Sequence, residues 1–245
     1  MIDIHSHILP GLDDGAQTWE EALQMARMAV ADGIRVMVAS PHLFRNRVVD
    51  SESINKKETI LEIINQFKQK LLDEEIPLEI LSGCDIPLCL ELMQLLDDDQ
   101  VLTINDAKRY LLLELPDTSF PPATEQICFR LQAKGLTPIL THPERNFIIQ
   151  EMPEKLERLL EMGCLVQVTA CSLLGVFGRR VAKFTRKLAK RGYIHLVATD
   201  AHDTQRRPPL LSGAVKALSP LVGPDQARAM VTTIPNKIVR GDPCF

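Results

Sequence analysis

Apolar and polar positions along this chain switch repeatedly between two periods. Thr18-Trp19-Glu20-Glu21 reads as a capping box, and Ala22, Met25, Ala26, Ala29 and Val30 follow at helical spacing until Gly33 stops the run. Directly behind it, residues 34–39 form a largely apolar stretch of strand length. A helix striped by Ile60, Ile64, Phe67 and Leu71 precedes a short strand at 78–81, and 110–113 is another. A helix from about Pro122 to Gly135 leads into the strand 136–141. A helix through Leu156, Leu159 and Leu160 ends at Gly163 before the strand 165–169. A last unit runs through Val181, Phe184 and Leu188 to Gly192 and then into a strand at 193–199. The final ~35 residues, rich in proline, read as a short helical closing segment centred on Ala227 to Val231.

Each unit is therefore a helix, a glycine stop, an apolar strand and, usually, a histidine or an acid. Such alternation builds an α/β fold with a parallel sheet or barrel, in which functional groups gather at the carboxyl ends of the strands. No linker, low-complexity tract or repeat interrupts the 245 residues, so one domain over 1–245 is expected.

Composition narrows the function classes. With 45% apolar and 24% charged residues the chain can bury a sizeable core, and a net charge of −4 gives no sign of a nucleic-acid or anionic-membrane binder. No apolar run approaches the ~20 residues that span a bilayer. Asp3, His5 and His7 stand where a signal peptide would need a basic start and an apolar segment, so a cytoplasmic location is expected. The six cysteines, Cys84, Cys89, Cys128, Cys164, Cys171 and Cys244, have no Cys-x-x-Cys spacing, and reduced core residues are the expectation. No Cys-x5-Arg arrangement exists, which removes a cysteine-nucleophile phosphatase.

The chemistry-bearing residues collect where strands are expected to end. Ile2 and Ile4 start a strand on which His5 and His7, two apart, point the same way and offer two nitrogen donors to a metal. The Pro10-Gly11 turn can bring Asp14 back towards them. His42, His142 and His202 follow later strands, as do Asp85, Glu114 and Asp200. This many N/O ligands suits roughly two or three divalent ions; manganese or iron fits the donor mixture, and zinc is a further option. Arg145 and Arg207 fall near the same ends, and the planar arginine fork matches phosphate oxygens. Metals and arginines in one pocket point to phosphoester hydrolysis. Phe44, Arg45 and Arg47 could receive an aromatic ring and acidic flanks of a peptide. The row Arg179, Lys183, Arg186, Lys187 and Lys190 reads as a solvated helix face, Trp19 as a packing residue and His195 as structural.

The motifs Ile4-His5-Ser6-His7, Gly11-Leu12-Asp13-Asp14-Gly15, Pro41-His42, His142-Pro143-Glu144-Arg145 and Thr199-Asp200-Ala201-His202 resemble the PHP (polymerase and histidinol phosphatase) superfamily. Together they are most similar to one branch, the manganese-dependent bacterial protein-tyrosine phosphatases of capsule and exopolysaccharide operons. The resemblance implies a distorted (β/α)7 barrel of TIM-like form with a trinuclear site. By motif matching, His5, His7, Asp85 and Asp200 would hold one ion, Asp85, Glu114 and His142 a second, and Asp14, His42 and His202 a third. Arg145 and Arg207 would match the phosphate-binding arginines, with phosphotyrosine on a bacterial tyrosine autokinase as substrate and a metal-activated hydroxide as nucleophile. The family has glutamate where Asp85 stands, so its bridge between two metals is one methylene shorter here. Histidinol-phosphate phosphatase, or another small-molecule phosphoesterase, is the nearest alternative. A weakened metal-binding regulator of a kinase is the non-enzymatic one.

Overall fold

In the computed structural model, which describes residues 1–43 and 56–244, helices and strands alternate as the apolar periods predict. The order is β1 (Ile2–Ser6), α1 (Trp19–Asp32), β2 (Val36–Ala39), α2 (Lys57–Asp73), β3 (Glu79–Ser82), β4 (Asp85–Pro87), α3 (Leu92–Asp97), β5 (Tyr110–Glu114), α4 (Thr124–Ala133), β6 (Thr137–Thr141), α5 (Phe147–Glu151), α6 (Glu154–Glu161), β7 (Leu165–Thr169), α7 (Ala170–Leu174), α8 (Gly178–Lys190), β8 (Leu196–Ala198), α9 (Ser212–Val222), α10 (Pro224–Ala229) and α11 (Thr233–Arg240). Phe44, Arg45 and Arg47 lie outside the described residues.

The strands form two parallel sheets, β1-β2-β3 and β4-β5-β6-β7-β8. Two seams link them. Ser6 bridges Ala201 beyond β8, and His42 beyond β2 bridges Asp85 at the start of β4. At the first seam the His7 amide donates to Ala201 O at 2.8 Å and the Asp200 amide to His5 O at 2.8 Å; at the second, the Leu43 amide donates to Asp85 O at 3.0 Å. Parallel strands covered on both faces must be apolar throughout, and Leu111, Leu112 and Leu113 of β5 are fully buried.

Local chemistry explains the helix ends. Thr18 Oγ1 accepts the Glu21 amide at 3.2 Å, and Glu21 Oε2 accepts the Gln17 amide at 2.9 Å, while Gly33 closes α1 at φ 95°. Trp19 packs with its ring 6.2 Å from that of Phe67 on α2, the packing role expected of it. The closing segment lies where the amino ends of the strands need cover: the Ile2 amide donates to Val231 O at 2.8 Å and the Val197 amide to Met230 O at 3.2 Å.

Three features depart from the sequence reading. The strand expected at 78–81 is β3, but a further strand, β4, opens just beyond Gly83-Cys84 and joins the other sheet; a Cβ on Gly83 would come within 2.6 Å of Val38 Cγ1. The eighth strand is three residues long rather than the 193–199 expected, because the His195 imidazole accepts the Val166 amide at 3.0 Å and takes the place of a ladder bond. The short helices α3, α5 and α7 have too few residues for a period to show. The cysteines are free, as expected, with Cys84, Cys128, Cys164 and Cys171 buried. No helix among the described residues is long and apolar enough to cross a membrane.

Candidate metal centre

The parallel strands bring the nine candidate ligands to one end of the molecule. His5 is on β1 and His7 just past it; Asp14 follows in the next loop. His42 stands beyond β2, Asp85 opens β4, Glu114 ends β5, His142 follows β6, and Asp200 and His202 follow β8. All are buried except Glu114, which is half-buried, and Asp14, which is 54% exposed and faces the mouth. Their ligand atoms form four overlapping groups, each with its atoms within 4.8 Å of one another. These are His7, Asp14, His42 and His202; His5, His7 and Asp200; His5, Asp85 and His142; and His42, Asp85 and Glu114. The motif-matched set of Asp85, Glu114 and His142 is not itself one of these groups, but its members stand together: Asp85 belongs to the groups of both others, and His142 Nε2 lies 3.7 Å from Glu114 Oε1.

Neighbouring groups fix which imidazole nitrogen faces inwards. His5 Nδ1 is 2.9 Å from Gln167 Oε1, an acceptor, and His7 Nδ1 is 2.7 Å from Asp13 Oδ2. His202 Nδ1 donates to Asp200 O at 2.8 Å. With Nδ1 committed as donor, Nε2 is left to bind at the centre. His5 Nε2 and His7 Nε2 stand 3.2 Å apart, and Asp200 Oδ1 is 3.4 and 3.3 Å from them. Ligands about 2.1 Å from one ion lie roughly 3.0–3.4 Å from each other, so this triangle has the edge lengths of a coordination polyhedron. Buried Asp85 Oδ2 has no hydrogen-bond donor. These residues fit a metal.

The electrostatics make the same demand for positive charge. Burial opposes protonation of His7, yet the Asp13 and Asp200 carboxylates outweigh it and draw the imidazole up to about 10. Burial lowers His5 to about 4 and holds His142 well below its ordinary value. Burial and then the Glu114 carboxylate push Asp85 well above the usual carboxylate range. Burial also opposes ionisation of Asp200, but His5, His7 and Arg207 together hold it well below that range.

Both arginines reach this cluster. Arg145 Nη1 donates to Asp200 Oδ2 at 2.7 Å, and Arg207 Nη2 donates to the same oxygen. The Phe177 ring lies 5.1 Å from one guanidinium and 5.8 Å from the other. At 16% and 20% exposed, the two side chains border the opening. His142 and Asp200 hold left-handed backbones at φ 36° and 52°, a conformation that costs a non-glycine residue energy and is common at functional sites.

Several supporting residues went unread in the sequence. Asp13 accepts from His7, from the His42 amide at 2.9 Å and from the Gly15 amide at 2.9 Å. A Cβ on Gly15 would fall 2.0 Å from His7 O, so only glycine lets this loop lie against His7. Asp3 accepts the Thr199 hydroxyl and amide and the His5 amide, and burial pushes it up to about 7. Fully buried Glu144 accepts the Ser172 hydroxyl at 2.6 Å and the Thr169 amide at 3.0 Å, tying the turn that carries Arg145 to the end of β7. Two of them left a signal. Gln167 is the one amide in the apolar run 165–168, and Asp3 shares a period-two face with His5 and His7.

Fold and cluster thus define an α/β protein with a candidate metal centre at its strand ends. The family model described as capsular polysaccharide synthesis, CpsB/CapC, matches residues 1–240, and the chain belongs to that family. It is 42% identical over 207 residues to tyrosine-protein phosphatase YwqE of Bacillus subtilis (strain 168), covering 84% of this chain and 79% of that one. It is 28% identical over 246 residues to tyrosine-protein phosphatase CpsB of Streptococcus pneumoniae, covering 98% of each. A chain from the crystal structures of YwqE from Bacillus subtilis and CpsB from Streptococcus pneumoniae superposes with a TM-score of 0.94 at 38% identity, covering 100% of this chain and 96% of that one. Those two proteins are described as metal-dependent tyrosine phosphatases.

Proposed function

We propose that this chain is a metal-dependent phosphomonoester hydrolase acting on protein phosphotyrosine. The observation that carries this reading is the convergence of Arg145 and Arg207 on Asp200, inside the cluster of nine metal-type ligands, in a chain of the CpsB/CapC family. Residues 1–245 act as one PHP-type domain, with β3 and β4 as a single interrupted strand of a distorted (β/α)7 barrel. His5, His7, Asp14, His42, Asp85, Glu114, His142, Asp200 and His202 hold roughly two or three divalent ions, and this donor mixture suits manganese ahead of iron or zinc. When bound, such ions supply Lewis acidity and lower the pKa of water from 15.7 towards about 7.

The chain's own groups do the rest. Arg145 and Arg207 take the phosphoryl oxygens in their planar forks and neutralise charge that grows as the P–O bond breaks. Phe177 beneath both guanidiniums keeps the forks together. Glu144 fixes the turn from which Arg145 projects. A tyrosine leaving group, with a pKa of ~10, needs less help from a general acid than an alkyl alcohol does. The substrate is the phosphotyrosine-bearing tail of a bacterial tyrosine kinase that regulates capsule or exopolysaccharide synthesis, met in the cytoplasm. The test is turnover of a phosphotyrosine peptide with manganese removed and restored, beside histidinol phosphate. Metal-dependent turnover with preference for the peptide is expected; metal-independent turnover, or preference for histidinol phosphate, overturns the reading.

A further inference from the structure

Between Gly178 and Arg191 the chain carries seven basic residues and no acidic one, although its net charge is −4. Two of the seven are neutralised: Arg180 pairs with Glu151, and Arg191 with Glu157 at 2.6 Å. Arg179, Lys183, Arg186, Lys187 and Lys190 are exposed, and no carboxylate among the described residues pairs with them. Their spacing of four, three, one and three places them on one face of α8. That face is not merely solvated. It lines a groove of about 860 Å³ that Gln150 and Glu151 of α5 also line.

The helix that lines the groove begins beside the candidate metal centre. Phe177, the residue before α8, lies against both Arg145 and Arg207, and half-exposed Leu174 and Val176 precede it. The geometry points to this groove as a docking site for an acidic peptide segment that flanks the phosphotyrosine, with the basic stripe of α8 selecting its sequence. The inference rests on the phosphatase reading and adds the chemistry of the substrate chain. From Arg179 to Lys190 the stripe runs about 16 Å, at 1.5 Å per helical residue. An extended chain spans that with about five residues. A peptide anchored by its phosphate between the two arginines therefore lays its next handful of residues along unpaired cations. A concave channel between two helices takes a chain more readily than the flat surface of a bilayer.

The test uses two phosphotyrosine peptides of equal length, one with acidic residues beside the phosphotyrosine and one with glutamine in their place. Wild-type protein is compared with Lys183→Glu/Lys187→Glu, and p-nitrophenyl phosphate, which has no chain to fill the groove, reports on the metal centre alone. For wild type, KM for the acidic peptide is roughly tenfold below that for the neutral one, and the gap closes as salt is raised. The double variant loses the preference while its turnover of p-nitrophenyl phosphate stays unchanged. Equal KM values in wild type, or a preference that survives in the variant, overturn the proposal. Hydrolysis of p-nitrophenyl phosphate but of neither peptide overturns the phosphotyrosine reading and this inference with it. Binding to phosphatidylglycerol vesicles that the variant loses, with peptide KM values unmoved, assigns the stripe to a lipid surface instead.

Discussion

His195, near the amino ends of the strands, and His5, near their carboxyl ends, are both lowered to about 4 by burial. Their surroundings differ. His195 meets a backbone amide, that of Val166, and belongs to none of the four ligand groups. Tyr110 at the same end likewise donates its hydroxyl to a backbone carbonyl, that of Asp242, at 2.8 Å. At the other end, His5 Nε2 faces His7 Nε2 and the carboxylates of Asp85 and Asp200. Burial by itself marks nothing: a polar group answered by the backbone completes the fold. Polar groups whose binding atoms are turned on each other are what a cation requires.

That contrast can be broken in three places. Arg145→Ala removes one of the two guanidinium forks proposed to take the phosphate and leaves the proposed metal-ligand set in place. Turnover of p-nitrophenyl phosphate should fall about 10²-fold or more, with Tm little changed; an unchanged rate would exclude Arg145 from the chemistry. Asp85→Glu restores the longer side chain that the family resemblance implies at this bridge. It should keep metal content and turnover within a few-fold of wild type, and loss of both in a folded variant would show that Asp85 does not serve as a bridging ligand. His195→Gln should leave turnover unmoved and act on stability alone. With its folded pKa lowered from 6.5 to about 4, the unfolded chain binds more protons between those values, so His195 makes stability fall as pH drops through that window. The variant should show a shallower loss in acid melts; a loss of turnover would move His195 into the site.

The sequence carried much of this contrast. The helix-to-strand alternation by itself assigns residues to strand ends, which is why the two ends of a parallel sheet can be told apart from periodicity alone. His5 with His7, and Asp200 with His202, are legible because each pair follows an apolar run. Residue type and spacing do not carry distances between strands, however. Asp85, which opens β4 in the second sheet, belongs to two of the groups, and the Gly83 just before it lies where a Cβ would meet Val38 of β2. The pairing of Glu114 with His42 spans 72 residues and depends on the seam where His42 bridges Asp85. Phe177 joins the site to α8 only because two guanidiniums from distant turns fold over its ring. A helical period identifies the basic side of α8 without showing the groove that this side lines.

The most direct test is the metal content of the purified protein, measured by elemental analysis alongside turnover of p-nitrophenyl phosphate as chelator is added and manganese is then returned. About two to three equivalents of divalent metal per chain are predicted, with activity lost and regained in step with them. Full turnover in a sample holding well under one equivalent would contradict the account.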